Sequence, residues 1–202
     1  MKARGLEYAR ARVHKGRVEA FSDGVVAILI TIMVLELKLP NGADWGALTQ
    51  ILPRLCSYVL SFVFLGIYWS NHHHLLQATD RVSGGVLWAN LHLLFWLSLV
   101  PFATEWVGET HSAPLPTALY GALLLLSGIA YYILQLTIIR RQGADSRLRA
   151  ALGRDFKGKL SPFAYAAAIP LAFVSPRISE AIYVFVALVW LVPDPRIETK
   201  IE

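Results

Sequence analysis

Charge is scarce in this sequence: Asp, Glu, Lys and Arg together make up 16% of its 202 residues, against about 25% in soluble domains. Apolar residues make up 55% and the mean hydropathy is +0.49, more apolar surface than a soluble core of this length can hide, so lipid has to cover the remainder. Cysteine is almost missing too. Cys56 stands alone, which excludes an intrachain disulfide framework and offers no zinc-ligand spacing. No internal repeat and no low-complexity tract is visible. The apolar runs contain no paired carboxylates, nucleophile elbow or phosphate loop, so the chain is not expected to be an enzyme.

What is present is a series of uncharged runs: Gly24 to Leu35, Leu55 to Asn71, Val82 to Thr104, Ser112 to Ile139, Leu160 to Pro176 and Ala181 to Pro193. A helix needs about 20 residues to cross the hydrocarbon core. The third and fourth runs suffice alone, and the first, second and fifth qualify once flanking residues such as Lys38, Arg54 and Lys159 snorkel. The predicted architecture is all-α and integral to the membrane, with six transmembrane helices at about 18–38, 51–74, 83–105, 114–139, 160–175 and 178–193 in one domain over 1–202. The sixth is the shortest; its roughly 16 residues rise about 24 Å, thin for a core near 30 Å. Pro40, Pro114, Pro116, Pro176, Pro193 and Pro195 fall in connections or span ends, while Pro101 and Pro170 predict local kinks.

The formal charge of +5 is explained by where the basic residues fall. Lys2, Arg4, Arg10, Arg12, Lys15 and Arg17 lie on the N-terminal arm. Arg81 lies in the second connection, and Arg140, Arg141, Arg147, Arg149, Arg154, Lys157 and Lys159 lie at the fourth. Arg196 and Lys200 close the chain. With six spans these share one side and leave only Lys38, Arg54 and Arg177 on the other, so both termini are expected in the cytoplasm, with the protein in the inner (plasma) membrane. The fourth connection, 142–159, reads as a cytoplasmic linker touching lipid headgroups. No aromatic-interleaved basic surface accompanies the charge, so the expected partners are the bilayer and not nucleic acid. The first run does not read as a secretory signal: Asp23 precedes it, Glu36 closes it and no small-residue cleavage site follows.

Two polar concentrations stand out. Arg17, Phe21, Ser22 and Asp23 crowd the start of the first span, where Ser22 or Asp23 could simply cap a helix from Gly24, or join a hydrogen-bonded cluster. Past them, Gly24, Ile28, Thr31 and Leu35 form one narrow helical stripe. Facing lipid, Thr31 would bond back to the Ala27 carbonyl. Facing its own copies around an axis, the stripe would make an apolar constriction at Ile28 with a ring of hydroxyls one turn beyond. The second concentration, Tyr68 to His74, ends span two. Three successive histidines point about 100° apart and cannot share one metal, so no metal site is expected. One of His72, His73 and His74 is expected to face the Arg17/Asp23 cluster, with Trp88, Asn90 and His92 at the same depth on span three; His73, Trp88 and Asn90 are the partners taken here. Thr117-Ala-Leu-Tyr-Gly121 is not a filter of the Thr-Val-Gly-Tyr-Gly kind, because Leu119 replaces a glycine and the segment opens a span.

The motif Arg17-x-x-x-Phe21-Ser22-Asp23, followed by the histidine-rich end of span two, resembles the transmembrane protein 175 family of potassium channels in its bacterial form. The resemblance implies a homotetramer of single six-helix units with the pore on the symmetry axis. It implies a pore lined by the first helix, an apolar constriction at Ile28 with Leu35 nearer the outside, and ion selectivity at Thr31. It also implies that Arg17, Phe21, Ser22 and Asp23 hold the pore helix against spans two and three without touching the ion. No cofactor is implied, potassium being the permeating ion. The alternative is a proton-coupled secondary transporter relaying protons through Asp23 and the histidines, against which stands the lack of inverted repeats.

Overall fold

A computed structural model describes residues 15–79, 82–142 and 156–191. Most of the basic residues counted above lie outside them: Lys2, Arg4, Arg10, Arg12, Arg81, Arg147, Arg149, Arg154, Arg196 and Lys200, together with most of the linker and the end of the sixth span. Among the described residues the chain is all-α, with helices α1 (Lys15–Leu35), α2 (Trp45–Gln77), α3 (Gly84–Ser98), α4 (Val100–Glu109), α5 (Pro114–Gln142), α6 (Phe156–Leu171) and α7 (Pro176–Leu191). Helices α3 and α4 run end to end as one 26-residue rod. That rod, α1, α2 and α5 are each long and apolar enough to cross a membrane.

Local chemistry sets the ends. Asp44 accepts a 2.7 Å bond from the Ala47 amide and so caps α2; Ser83 caps α3 through the Val86 amide. Helix α2 thus starts six residues before position 51 and ends three after 74, because hydropathy marks the membrane core and not the helix, which continues into water. It carries Pro53 within it, in the third turn, where the missing N–H leaves the Thr49 carbonyl without its helical partner. The kink foreseen at Pro101 is a break: Leu99 interrupts the rod and Pro101 sits in the first turn of α4, the proline having no N–H to give to the carbonyl of Leu97. Pro170 lies in the last turn of α6, followed by a turn over 172–174.

Helix α5 is the central element, packed against α3, α4, α6 and α7, while α1 packs against α2, α3 and α4. Leu65, Leu76, Leu93, Leu97, Leu124 and Leu134 are fully buried between them. Phe64, Tyr120, Tyr165 and Tyr183 form a chain of ring contacts at 5.6–6.5 Å that joins α2, α5, α6 and α7, in the tilted and edge-on arrangements that aromatic pairs favour. Gly121 makes this cluster possible, since an added Cβ would overlap the Tyr183 hydroxyl. At one end of the bundle Lys15 Nζ donates to the Gln77 carbonyl (3.1 Å) and Gln142 Nε2 to the Ala78 carbonyl (2.6 Å). At the other end Glu109 accepts from both Arg54 and Lys38.

Two glycine substitutions have opposite expected signs. Gly121→Ala displaces Tyr183 and lowers stability by about 1–3 kcal/mol, the usual cost of overpacking. Gly66→Ala meets nothing within 4 Å and gains roughly 0.5–1 kcal/mol from helix propensity. Thermal unfolding of the detergent-solubilised protein checks both.

Candidate functional site

Helix α1 has two unlike faces. Val18, Ser22, Val26, Leu29 and Met33 are buried at spacings of four, four, three and four, the signature of a single helical stripe turned to the bundle. The opposite face holds Gly24, Ile28, Thr31 and Leu35, all exposed, Ile28 at 61% and Leu35 at 78%. The Thr31 hydroxyl lies 2.9 Å from the Ala27 carbonyl and 3.1 Å from that of Ile28. Its proton is spent on the helix and its oxygen lone pairs remain on the exposed face.

The buried face is fastened by a polar chain. Asn90 of α3 donates through Nδ2 to Ser22 Oγ at 2.9 Å, and its Oδ1 lies 2.6 Å from His72 Nε2. All three side chains are buried, so each satisfies groups that would otherwise be stranded away from water. Ser22 and Asp23 sit well inside α1, which begins by Lys15, so neither caps a helix from Gly24. Asp23 turns outward and accepts 2.9 Å from the Trp69 indole N–H.

The histidine joining Asn90 is His72 and not His73. Helix α2 buries Leu65, His72, Leu75 and Leu76, a set related by seven, three and four residues. His73 lies 100° around from that face; it bonds Gln77 at 2.9 Å and stacks on Trp69. Trp88 is likewise outside the network, 76% exposed, because it is two residues from Asn90 and so across the helix. Phe21 and Arg17 are exposed, and Arg17 has no ion pair among the described residues. His92 pairs with Trp96 on its own helix, 2.9 Å between ring nitrogens. No three His, Cys, Asp or Glu side chains among the described residues are grouped to hold a metal.

Two contacts were not foreseen from the sequence. Trp69 carried the signal of an indole N–H at membrane depth, which requires an acceptor. The Lys38–Glu109–Arg54 set joins the far end of α1 to α2 and α4, with Lys38 Nζ 3.2 Å from Glu109; its signal was the pairing of basic and acidic residues on the sparsely charged side of the chain.

Asn90→Leu strands both Ser22 and His72 and is expected to lower stability by about 1–2 kcal/mol, the range of interhelical hydrogen bonds in membranes. His73→Ala, at an exposed pair, is expected to stay within about 0.5 kcal/mol of wild type. Unfolding of the two variants side by side in micelles separates the buried histidine from its neighbour.

With the geometry fixed, comparison with known proteins adds its own findings. The family model described as "Endosomal/lysosomal potassium channel TMEM175" matches residues 17–101, the stretch that contains α1 apart from its first two residues and the whole Ser22–Asn90–His72 chain. A protein named as a potassium channel from Chryseobacterium sp. strain P1-3 is 54% identical over 188 residues, covering 93% of this chain and 98% of that protein. Another so named, from Streptomyces collinus, is 33% identical, covering 86% and 89%. The crystal structure of a lysosomal potassium-selective channel TMEM175 homolog from Chamaesiphon minutus matches at a TM-score of 0.78 and 26% identity, covering 88% of this chain and 96% of that one.

Proposed function

The chain belongs to the TMEM175 family of potassium channels, and we propose that it conducts potassium through a pore on the axis of a homotetramer, lined by four copies of α1. In this reading all six rods span the plasma membrane with both termini in the cytoplasm. Ile28 forms the apolar constriction and gate, Leu35 lines the path nearer the outside, and Thr31 supplies the selecting hydroxyls. Potassium is the permeating ion, with no cofactor. The observation that carries the reading is the exposed stripe of Gly24, Ile28, Thr31 and Leu35 on a helix whose other face is packed and hydrogen-bonded into the bundle.

The physical demand on such a pore is dehydration. A ring of isoleucine offers no ligand, so ions pass it only when it widens enough to stay wet, and the open pathway gates by dewetting. Thr31 lies three residues on, roughly 4.5 Å along the axis. Its proton is held by the Ala27 and Ile28 carbonyls, so each of four oxygens presents lone pairs to a cation leaving the constriction. An oxygen ring placed one turn past an apolar ring replaces part of the hydration shell where the barrier is highest.

Potassium flux from liposomes holding the purified protein, measured against sodium, tests this. Ile28→Asn supplies a polar group to the bare ring; a hydrogen bond to a charged group is worth roughly 1.5–3 kcal/mol, so passive flux rises by about tenfold or more. Thr31→Ala lowers the preference for potassium over sodium, read as a shift in reversal potential. Flux that requires a proton gradient and ignores both substitutions would overturn the channel in favour of a coupled transporter.

A further inference from the structure

A second polar site lies inside the subunit, lined by none of the residues of the Ser22–Asn90–His72 chain. Near the Glu109 end of the bundle, α2, α4, α5 and α7 enclose a cavity of about 260 Å³. This is just below the roughly 300–1,000 Å³ of pockets for drug-sized ligands, so its occupant has to be small. Leu60 and Val107 contribute an apolar wall, and the Tyr120 ring closes the deep end, its hydroxyl 2.9 Å from Ser61 Oγ in the buried interior.

The polar groups facing this space are unevenly satisfied. The Tyr183 hydroxyl donates to the Thr117 carbonyl at 3.0 Å, which holds the Thr117 backbone at the cavity. The Thr117 side chain is completely buried, yet its Oγ1 has no hydrogen-bond partner among the described residues. Buried hydroxyls are rarely left so. Glu180, in the second turn of α7, is half-buried at the cavity wall and makes no ion pair among the described residues. Ser57 Oγ gives its proton to the Pro53 carbonyl at 3.1 Å, leaving only acceptor capacity for a guest. The site therefore offers one carboxylate, oxygen acceptors and an apolar slot, and no cationic side chain among the described residues lines it.

We infer that this cavity binds a small amphipathic ammonium ion, its charged head between Glu180 and the Ser57 oxygen and its apolar body between Leu60 and Val107. An ammonium is acceptor-hungry in all directions, which matches a carboxylate beside a serine hydroxyl whose proton is already spent. Anions are repelled by Glu180, and a fatty acyl chain would leave it unanswered. The inference rests on the bundle being folded in its membrane form and does not depend on α1 lining a pore.

The lone cysteine gives a direct test, because Cys56 is exposed and lines the same cavity. The purified full-length protein in detergent is alkylated with N-ethylmaleimide, with benzylamine or its neutral analogue benzyl alcohol titrated in, and adduct formation is followed by mass spectrometry. Benzylamine is expected to slow alkylation saturably, about fivefold at four times its dissociation constant by the 1 + [L]/Kd relation. Benzyl alcohol should not. Glu180→Gln should weaken the protection. Equal protection by the alcohol, protection by a fatty acid alone, or benzylamine protection unchanged in Glu180→Gln would overturn the proposal. Potassium flux measured in parallel keeps the two readings apart: a protein that passes potassium without protecting Cys56 refutes only this site, and one that protects Cys56 without conducting refutes only the channel.

Discussion

The hydrogen-bond chain from Ser22 through Asn90 to His72 is the contact on which the placement of α1 depends. Lipid tails are as apolar as leucine, so Val18, Val26, Leu29 and Met33 gain little free energy by exchanging lipid for protein beyond better packing. Packing alone would let α1 rotate or slide along its neighbours at small cost. A hydroxyl, an amide and an imidazole cannot be so indifferent, since each unsatisfied polar group away from water costs of the order of 1–3 kcal/mol. Asn90 is the hinge of the arrangement because an amide both donates and accepts: it gives to Ser22 on one side and meets His72 on the other. Three helices are thereby fixed in one rotational register.

Register at one point fixes which face α1 shows along its whole length. With Ser22 turned inward, Val26, Leu29 and Met33 follow it by helical geometry, and Gly24, Ile28, Thr31 and Leu35 have to point away. The far end is held differently. Lys38 and Arg54 share Glu109 at the surface, an exposed arrangement of the kind that water and salt weaken, so it aligns the end of the helix without clamping it. The close approach of α2 and α4 beside it, where a side chain at Gly108 would run into the Arg54 backbone, makes those two helices the firm support against which α1 rests. Helix α1 is thereby gripped at its Ser22 end and only loosely guided at its Lys38 end.

Much of this was legible in the sequence because it follows from periodicity. The stripe of Gly24, Ile28, Thr31 and Leu35 is read from spacing alone, and the structure leaves that face uncovered. Asn90 was recognisable as a polar side chain at membrane depth that had to find partners. The identity of its histidine was not, since three adjacent candidates differ by only 100° steps and the choice depends on which face of α2 meets α3. That face is set by Leu65, Leu75 and Leu76, in a helix so uniformly apolar that its own pattern does not distinguish the packed side from the lipid side. Trp88 fails for a related reason: its place along α3 beside Asn90 is legible in the sequence, its rotation about the helix axis is not. The early start of α2 at Trp45 was hidden because a run of uncharged residues reports the hydrocarbon slab, whereas Asp44 caps a helix that reaches beyond it.

The two polar regions of the subunit differ in how far their groups are satisfied. Against α1, Ser22, Asn90 and His72 answer one another, which is what a fixed structural register demands. On the α5–α7 side Thr117 and Glu180 are left without one, and the aromatic packing of Tyr120 against Tyr183 holds the space open instead of filling it. Satisfied groups rigidify, whereas unsatisfied ones around a cavity create affinity for whatever supplies the missing donors. In a 22.5 kDa chain of mostly apolar helices polar residues are too costly to be scattered, so both concentrations call for a physical account: the first is accounted for by what it holds in place, the second by what it can accept.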